Sequence, residues 1–218
     1  MGDAASRLTG IQSGIAKAAA IARRSPADIT LIAVTKGRGV ADIEPLIEAG
    51  QRDFGESRIQ EALAKWLPLL ARHPDIRLHG IGRVQSNKAA EAVRIFDVVH
   101  SLDRSSLLAA LADASTAAGR TPSVYVQVNI GEEPQKGGCA IAEVGALVEA
   151  VRTWPLPLAG LMAIPPLDVE PAPFFALLAE IARRHGVSGL SMGMSGDYES
   201  AVKLGATAVR VGSALFEA

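Results

Sequence analysis

The chain has 218 residues and a formal net charge of −1, with 49% hydrophobic residues, enough for one sizeable domain with a real core. No basic patch points to nucleic acid or a membrane surface, and the apolar runs are too short to cross a bilayer. A single cysteine excludes an internal disulfide and fits a reducing cytoplasm.

The opening MGDAASRLTG carries an Asp and lacks the apolar core of a signal peptide. Its Met-Gly start has no second lipid signal to support myristoylation. No Pro/Gly/Ser-rich linker interrupts the chain, so one domain over residues 1–218 is expected. Residues 5–24 read as an amphipathic helix, with Ile11, Ile15 and Ile21 among alanines. Residues 29–35 are the first strand. A helix at 42–49 stops at Gly50. RDFGE (52–56) is a short strand and 57–72 a helix. IRLHGIG (76–82) is a strand, 86–95 a helix, and DVVHSL (97–102) a strand. A helix at 104–118 ends at Gly119. SVYVQVNI (123–130) is the clearest strand, followed by a helix at 141–153. Strand 158–164, helix 171–185, strand 188–193, helix 197–204 and strand 207–212 complete the series.

Eight strands alternate with helices, which implies parallel pairing. Eight such units in just over 200 residues fit an α/β fold: a single (β/α)8 TIM barrel with an extra N-terminal helix. A doubly wound open sheet is the alternative. It wants a GxGxxG turn after the first strand, which TKGRGVAD matches only in part.

The first strand runs LIAVTKGRG. Alternation puts Lys36 on the face of Thr30, Ile32 and Val34, at the carboxyl end. It either snorkels into solvent or serves the end where barrel active sites are built. A lysine shielded from water is a nucleophile toward carbonyls. Barrels often bind phosphate with the loops after strands 7 and 8. Here those loops are GMSGD (193–197) and GSA (212–214), each with a glycine and a hydroxyl: Ser195 and Ser213. Asp197 reads as the start of the next helix, whose free N–H groups favour an anion; ordinary capping is the other reading. If Val209 and Val211 pack on helices, Arg210 points into the barrel and needs an acceptor. A structural carboxylate would serve. So would a pyridine nitrogen, a recognised arginine partner in pyridoxal phosphate sites.

Other residues suggest less. His79 and His100 have no carboxylate at metal-ligand spacing and read as satisfied histidines. Trp66 and Trp154 read as packing, Met192 and Met194 as core or wall, and Cys139 as a loop or strand-edge thiol. Glu56 is the one good strand-end carboxylate for a sugar-phosphate isomerase.

Several stretches match a known family: AVTK (33–36), FGES (54–57), HGIGRVQSNK (79–88), QVNIGEEPQKGG (127–138), LAGLMAIP (158–165) and LSMGMSGDYESAVKLGATAVRVGSALF (190–216). Over nearly its whole length the chain resembles the pyridoxal phosphate homeostasis proteins, single-domain relatives of the alanine racemase N-terminal barrel. The resemblance implies that Lys36 carries pyridoxal 5'-phosphate as an internal aldimine. Ser195, Gly212 and Ser213 would hold the phosphate, and Arg210 would face the pyridine nitrogen. Asn87 and Asn129 would line the ring edge, and Met162 a wall. Ser57 stands where the family usually has Asn, which weakens a ring-side role there. Val84 replaces a usual Leu. FEA closes the chain where many members have FG, a change expected to matter little.

The resemblance implies a cytoplasmic, monomeric, non-catalytic protein. It would buffer pyridoxal phosphate or deliver it to pyridoxal-phosphate-dependent apoenzymes, with effects on amino-acid and keto-acid balance. A racemase or decarboxylase is the competing reading. An arginine at the ring nitrogen makes a weak electron sink, which disfavours decarboxylation. Racemisation needs acid/base groups on both faces of the α-carbon, and in the racemases the second comes from a tyrosine on another domain. Of the two tyrosines here, Tyr125 is expected deep in the barrel. Tyr198 is expected in the first turn of a helix, pointing away from the ring.

Overall fold

The computed structural model describes residues 4–217; the Met-Gly start lies outside them. Eight strands, β1 (Thr30–Val34), β2 (Asp53–Glu56), β3 (Arg77–Gly80), β4 (Val98–Leu102), β5 (Ser123–Gln127), β6 (Leu158–Met162), β7 (Leu190–Ser191) and β8 (Ala208–Val211), close into a barrel in chain order. Every pairing is parallel, including β1 with β8. Helices α1 (Ala4–Ile21), α2 (Val40–Glu48), α3 (Ile59–Arg72), α4 (Ala89–Ile95), α5 (Ser105–Ala118), α6 (Val144–Thr153), α7 (Ala172–Arg184), α8 (Tyr198–Lys203) and α9 (Ser213–Phe216) surround it. The expected barrel with its extra first helix is the fold observed.

Strand parity divides the core in two. Leu31, Ala33, Phe54, Leu78, Leu161, Val209 and Val211 join the apolar layer shared with the helices. Their neighbours turn inward, and at the two ends of the barrel they line cavities: Thr30, His79, Tyr125 and Ala208 at the amino end, Val34 and Arg210 at the carboxyl end.

Helix α1 buries Leu8, Ile11 and Ile15, which together stabilise its docking by roughly 5–9 kcal/mol before entropy is charged. Arg24 fixes its end by donating to the carbonyls of Val202 (3.0 Å) and Ala206 (2.8 Å). The helix stops at Ile21, earlier than expected, because Arg23 turns left-handed at φ 56°. A 3-10 turn over Pro26–Asp28 follows, capped by Ser25.

Several strands are shorter than their sequences suggest, β3, β5, β6 and β7 among them. β5 ends at Gln127, after which Val128 bridges to Cys139 in a returning segment. β7 has only two residues, and Gly193 turns the chain out at φ 94°, a conformation that glycine adopts freely.

Candidate functional site

Lys36 stands two residues past the end of β1, on a turn. It is exposed rather than sunk among apolar walls. It lines a cavity of about 530 Å³ at the carboxyl mouth, together with Ser195, Arg210, Gly212 and Ser213. That size suits a small cofactor. Val34, Ile81, Ile164 and Met194 supply its apolar side.

The Lys36 turn is held from outside the barrel. Lys65 of α3 donates to the carbonyls of Thr35 (2.8 Å) and Arg38 (3.0 Å). Gly37, at φ 70°, donates its N–H to Glu61 at 2.8 Å. That amide is the main reason the Glu61 carboxyl sits below its ordinary range. Glu56 is fully buried and accepts from Thr35 Oγ1 (2.6 Å) and Trp66 Nε1 (2.9 Å). Its carboxylate therefore faces α3 and not the cavity, because β2 parity turns Gly55 inward and Glu56 outward. This removes the strand-end carboxylate an isomerase would need, and it gives Trp66 a polar duty beyond packing.

The loops after β7 and β8 meet at Ser195. Its Oγ accepts from the N–H groups of Gly212 (3.2 Å) and Ala214 (3.3 Å). Asp197 stands at the N-cap position of α8 without a side-chain bond to the helix, and its carboxylate instead accepts from Met194 N at 2.5 Å. Converging amides of this kind form an anion-binding concavity.

Arg210 points into the barrel, as the outward valines required, and is 4% exposed. Its guanidinium donates to Ser191 Oγ (2.5 Å) and to the carbonyl of Ala163 (3.0 Å); among the described residues no carboxylate is bonded to it. Burial pushes its pKa down to about 10 against the opposing charge of Asp197, so it remains a cation near neutrality. Tyr125 lies at the amino end, lining the cavity there. Tyr198 packs its hydroxyl against Gly14 of α1.

Three expected residues do not line the mouth. Asn87 is exposed on the 3-10 turn Ser86–Lys88. Asn129 spends its amide locally, donating to Glu133 O (2.9 Å) and accepting from Glu133 N (3.2 Å). Met162 is buried in β6, in register with Gln127 and Ser191. Conversely, the sequence reading missed Arg38, Phe216 and Glu217 as cavity residues. Arg38 pairs with Glu217 at 2.7 Å and lies 5.0 Å from the Phe216 ring centroid. The glutamate of the closing FEA thus forms part of the cavity rim. Ser57 also lines the cavity. Cys139 is buried, and burial raises its thiol to about 12, which makes it inert.

His79 and His100 face each other inside the barrel, Nδ1 to Nε2, at 2.9 Å. His79 Nε2 reaches Asp53 Oδ1 at 2.9 Å, and His100 Nδ1 reaches Ser191 Oγ at 2.9 Å. Both are satisfied, as expected. Burial holds both below the usual histidine pKa, His100 the further.

Fold and mouth define a (β/α)8 barrel with one lysine, an amide cup and a buried arginine gathered at its carboxyl end. Residues 12–218 match the family described as alanine racemase, N-terminal domain. A curated protein from Pseudomonas aeruginosa named pyridoxal phosphate homeostasis protein is 41% identical, over 100% of this chain and 96% of its own. Its Escherichia coli K12 counterpart of the same name is 37% identical over 100% and 97%. The structure of PipY from Synechococcus elongatus PCC7942 with PLP bound is similar at a TM-score of 0.85 and 36% identity, covering 98% of this chain and 100% of that one. The chain belongs to the pyridoxal phosphate homeostasis protein family, within the alanine racemase N-terminal-domain group.

Proposed function

We propose that this protein binds pyridoxal 5'-phosphate at the carboxyl mouth and takes part in its intracellular homeostasis, as a cytoplasmic monomer that buffers the cofactor or passes it to apoenzymes. The observation that carries this reading is the convergence of Lys36, the Ser195 cup and Arg210 on one cavity. The names of the curated relatives and the PLP-bound PipY structure support it.

The residues fit the group. Two amides already converge on one neutral oxygen, Ser195 Oγ, and an anionic phosphate oxygen is a stronger acceptor for the same donors. Ser195, Gly212 and Ser213 would hold the phosphate. When bound, pyridoxal phosphate supplies an aldehyde that condenses with a lysine amine and releases water. Lys36 is the amine at the mouth, and the Lys65 and Glu61 bonds keep its turn in place. Arg210 holds a positive charge at the cavity floor. A neighbour that keeps its proton cannot protonate a ring nitrogen, so the site favours holding the cofactor over strong electron withdrawal. A non-catalytic role is supported by the two tyrosines, since neither is among the residues lining the mouth cavity to serve as a second proton-transfer group.

The test is a visible spectrum of the purified protein with added pyridoxal phosphate, before and after borohydride. Peptide mapping should then find the pyridoxyl mass on the Lys36 peptide. A label confined to Lys88 or Lys136 would refute the assignment.

A further inference from the structure

A row of polar side chains crosses the barrel interior from end to end. It starts at Asp53 on β2, passes His79 on β3 and His100 on β4, crosses to Ser191 on β7, and ends at Arg210 on β8. The four links measure 2.9, 2.9, 2.9 and 2.5 Å. Barrel interiors are usually filled by branched apolar side chains, so such a row calls for a reason.

With both histidines neutral, as their burial favours, its hydrogens have one consistent arrangement. A guanidinium only donates, and a carboxylate only accepts. Arg210 therefore donates to Ser191. The Ser191 hydroxyl donates to His100 Nδ1, His100 Nε2–H donates to His79 Nδ1, and His79 Nε2–H donates to Asp53. Tyr125 stacks on the His100 ring, with centroids 4.4 Å apart and planes at 19°, and holds its plane. Asp53 also forms an ion pair with Arg77 at 3.0 Å. Arg77, Asp97 and Tyr125 line the cavity at that end. Charged and titratable groups thus meet the row from β2, β3, β5 and β8 and from the segment before β4.

We propose that this row is a one-way hydrogen-bond line that fixes both histidine tautomers and the position of Arg210, and so couples Asp53 at the amino end to the cofactor ring at the mouth. Ser191, His100 and His79 act as positioning residues, and no proton has to move along the line. The coupling to a ring rests on the pyridoxal phosphate reading above; the tautomers do not.

Two measurements separate the parts. In cofactor-free protein, nitrogen-15 NMR should show both histidines as neutral Nε2–H forms, and Asp53→Asn should move the His100 signals although His79 lies between. Mixed tautomers, or His100 signals unmoved by Asp53→Asn, would overturn the line whatever the protein binds. With pyridoxal phosphate, His100→Leu should weaken binding by roughly 3- to 10-fold, the worth of one hydrogen bond, and shift the visible band. His100→Gln, whose amide can accept from Ser191 and donate to His79, should restore both. If both variants bind with wild-type affinity and spectrum and lose only thermal stability, the row is structural filling and the coupling is refuted. Wild-type protein that takes up no pyridoxal phosphate would sink the coupling together with the functional reading, and the NMR would still decide the line.

Discussion

Lys65 Nζ lies 2.7 Å from Glu56 Oε1 in the wall between β2 and α3, and the same ammonium holds the carbonyls on both sides of the Lys36–Gly37 pair. Glu56 is completely buried and the Lys65 side chain is 8% exposed. Removing one charge from a buried pair costs about 3–5 kcal/mol, because the other is stranded. Glu61, 3.4 Å from Lys65, softens the loss. Glu56→Gln should therefore destabilise by about 3 kcal/mol, or roughly 6–12 °C in Tm for a chain of this size. A thermal or urea midpoint equal to wild type would show that the pair does not anchor the turn.

Ser195 is the hinge of the cup. Its oxygen holds two amides that a phosphate would take over. Ser195→Glu puts a carboxylate where the anion belongs and should weaken pyridoxal phosphate binding by far more than tenfold. Ser195→Gly keeps the amides free and should cost much less, about the worth of one hydrogen bond. Equilibrium dialysis with both variants checks the order. Equal affinities would mean that the phosphate sits elsewhere.

Much of this was legible in the sequence, for physical reasons. Val209 and Val211 had to face the helices, so Arg210 had to face the barrel, and it does. The βα period gave the closed sheet, and loops 7 and 8 met where barrel geometry brings them. The failures have causes too. Helix α9 is four residues long, too short for periodicity to register, so the Arg38–Glu217 rim went unseen. Asn87 and Asn129 entered through family likeness; here Asn87 is exposed on its 3-10 turn and local bonds to Glu133 hold Asn129. The histidine line links residues up to 91 positions apart, and no spacing rule reaches that far.

The same histidines make stability depend on pH. Burial depresses both below the ordinary 6.5, with Asp53 opposing the effect at His79 and the charges of His79 and Arg210 adding to it at His100. Between the depressed folded values and 6.5, the unfolded chain binds more protons than the folded one. Stability therefore rises with pH through that window, is fully present above about 6.5, and is lost as pH falls toward the folded values. The slope is about 1.4 kcal/mol per pH unit for each histidine. Depressed carboxylates such as Glu61 act only below about 4.5, so from pH 5 to 7 the slope belongs mainly to the histidines. Urea midpoints from pH 5 to 7 should climb in wild type and climb less in His100→Gln. A flat wild-type profile would mean that the imidazoles titrate normally in the fold.

Racemisation of alanine is the activity the fold family makes worth testing. Its requirement is a proton-transfer group on each face of the α-carbon. Lys36 can serve one face. Tyr125 is committed to the His100 stack at the amino end of the barrel. Tyr198 opens α8 but turns to α1, with its hydroxyl against Gly14 and 3.5 Å from Glu199. A missing acid/base group typically costs on the order of 10²–10⁴ in rate. Pyridoxal-phosphate-loaded protein should therefore racemise D- or L-alanine far below the ~10 s⁻¹ of an ordinary enzyme, and Tyr198→Phe should leave any trace unchanged. Deuterium exchange at the alanine α-carbon, followed by NMR, reads both faces. Turnover near 10 s⁻¹ that disappears in Tyr198→Phe would mean that α8 swings its first turn to the mouth, and that the protein is a racemase rather than a carrier.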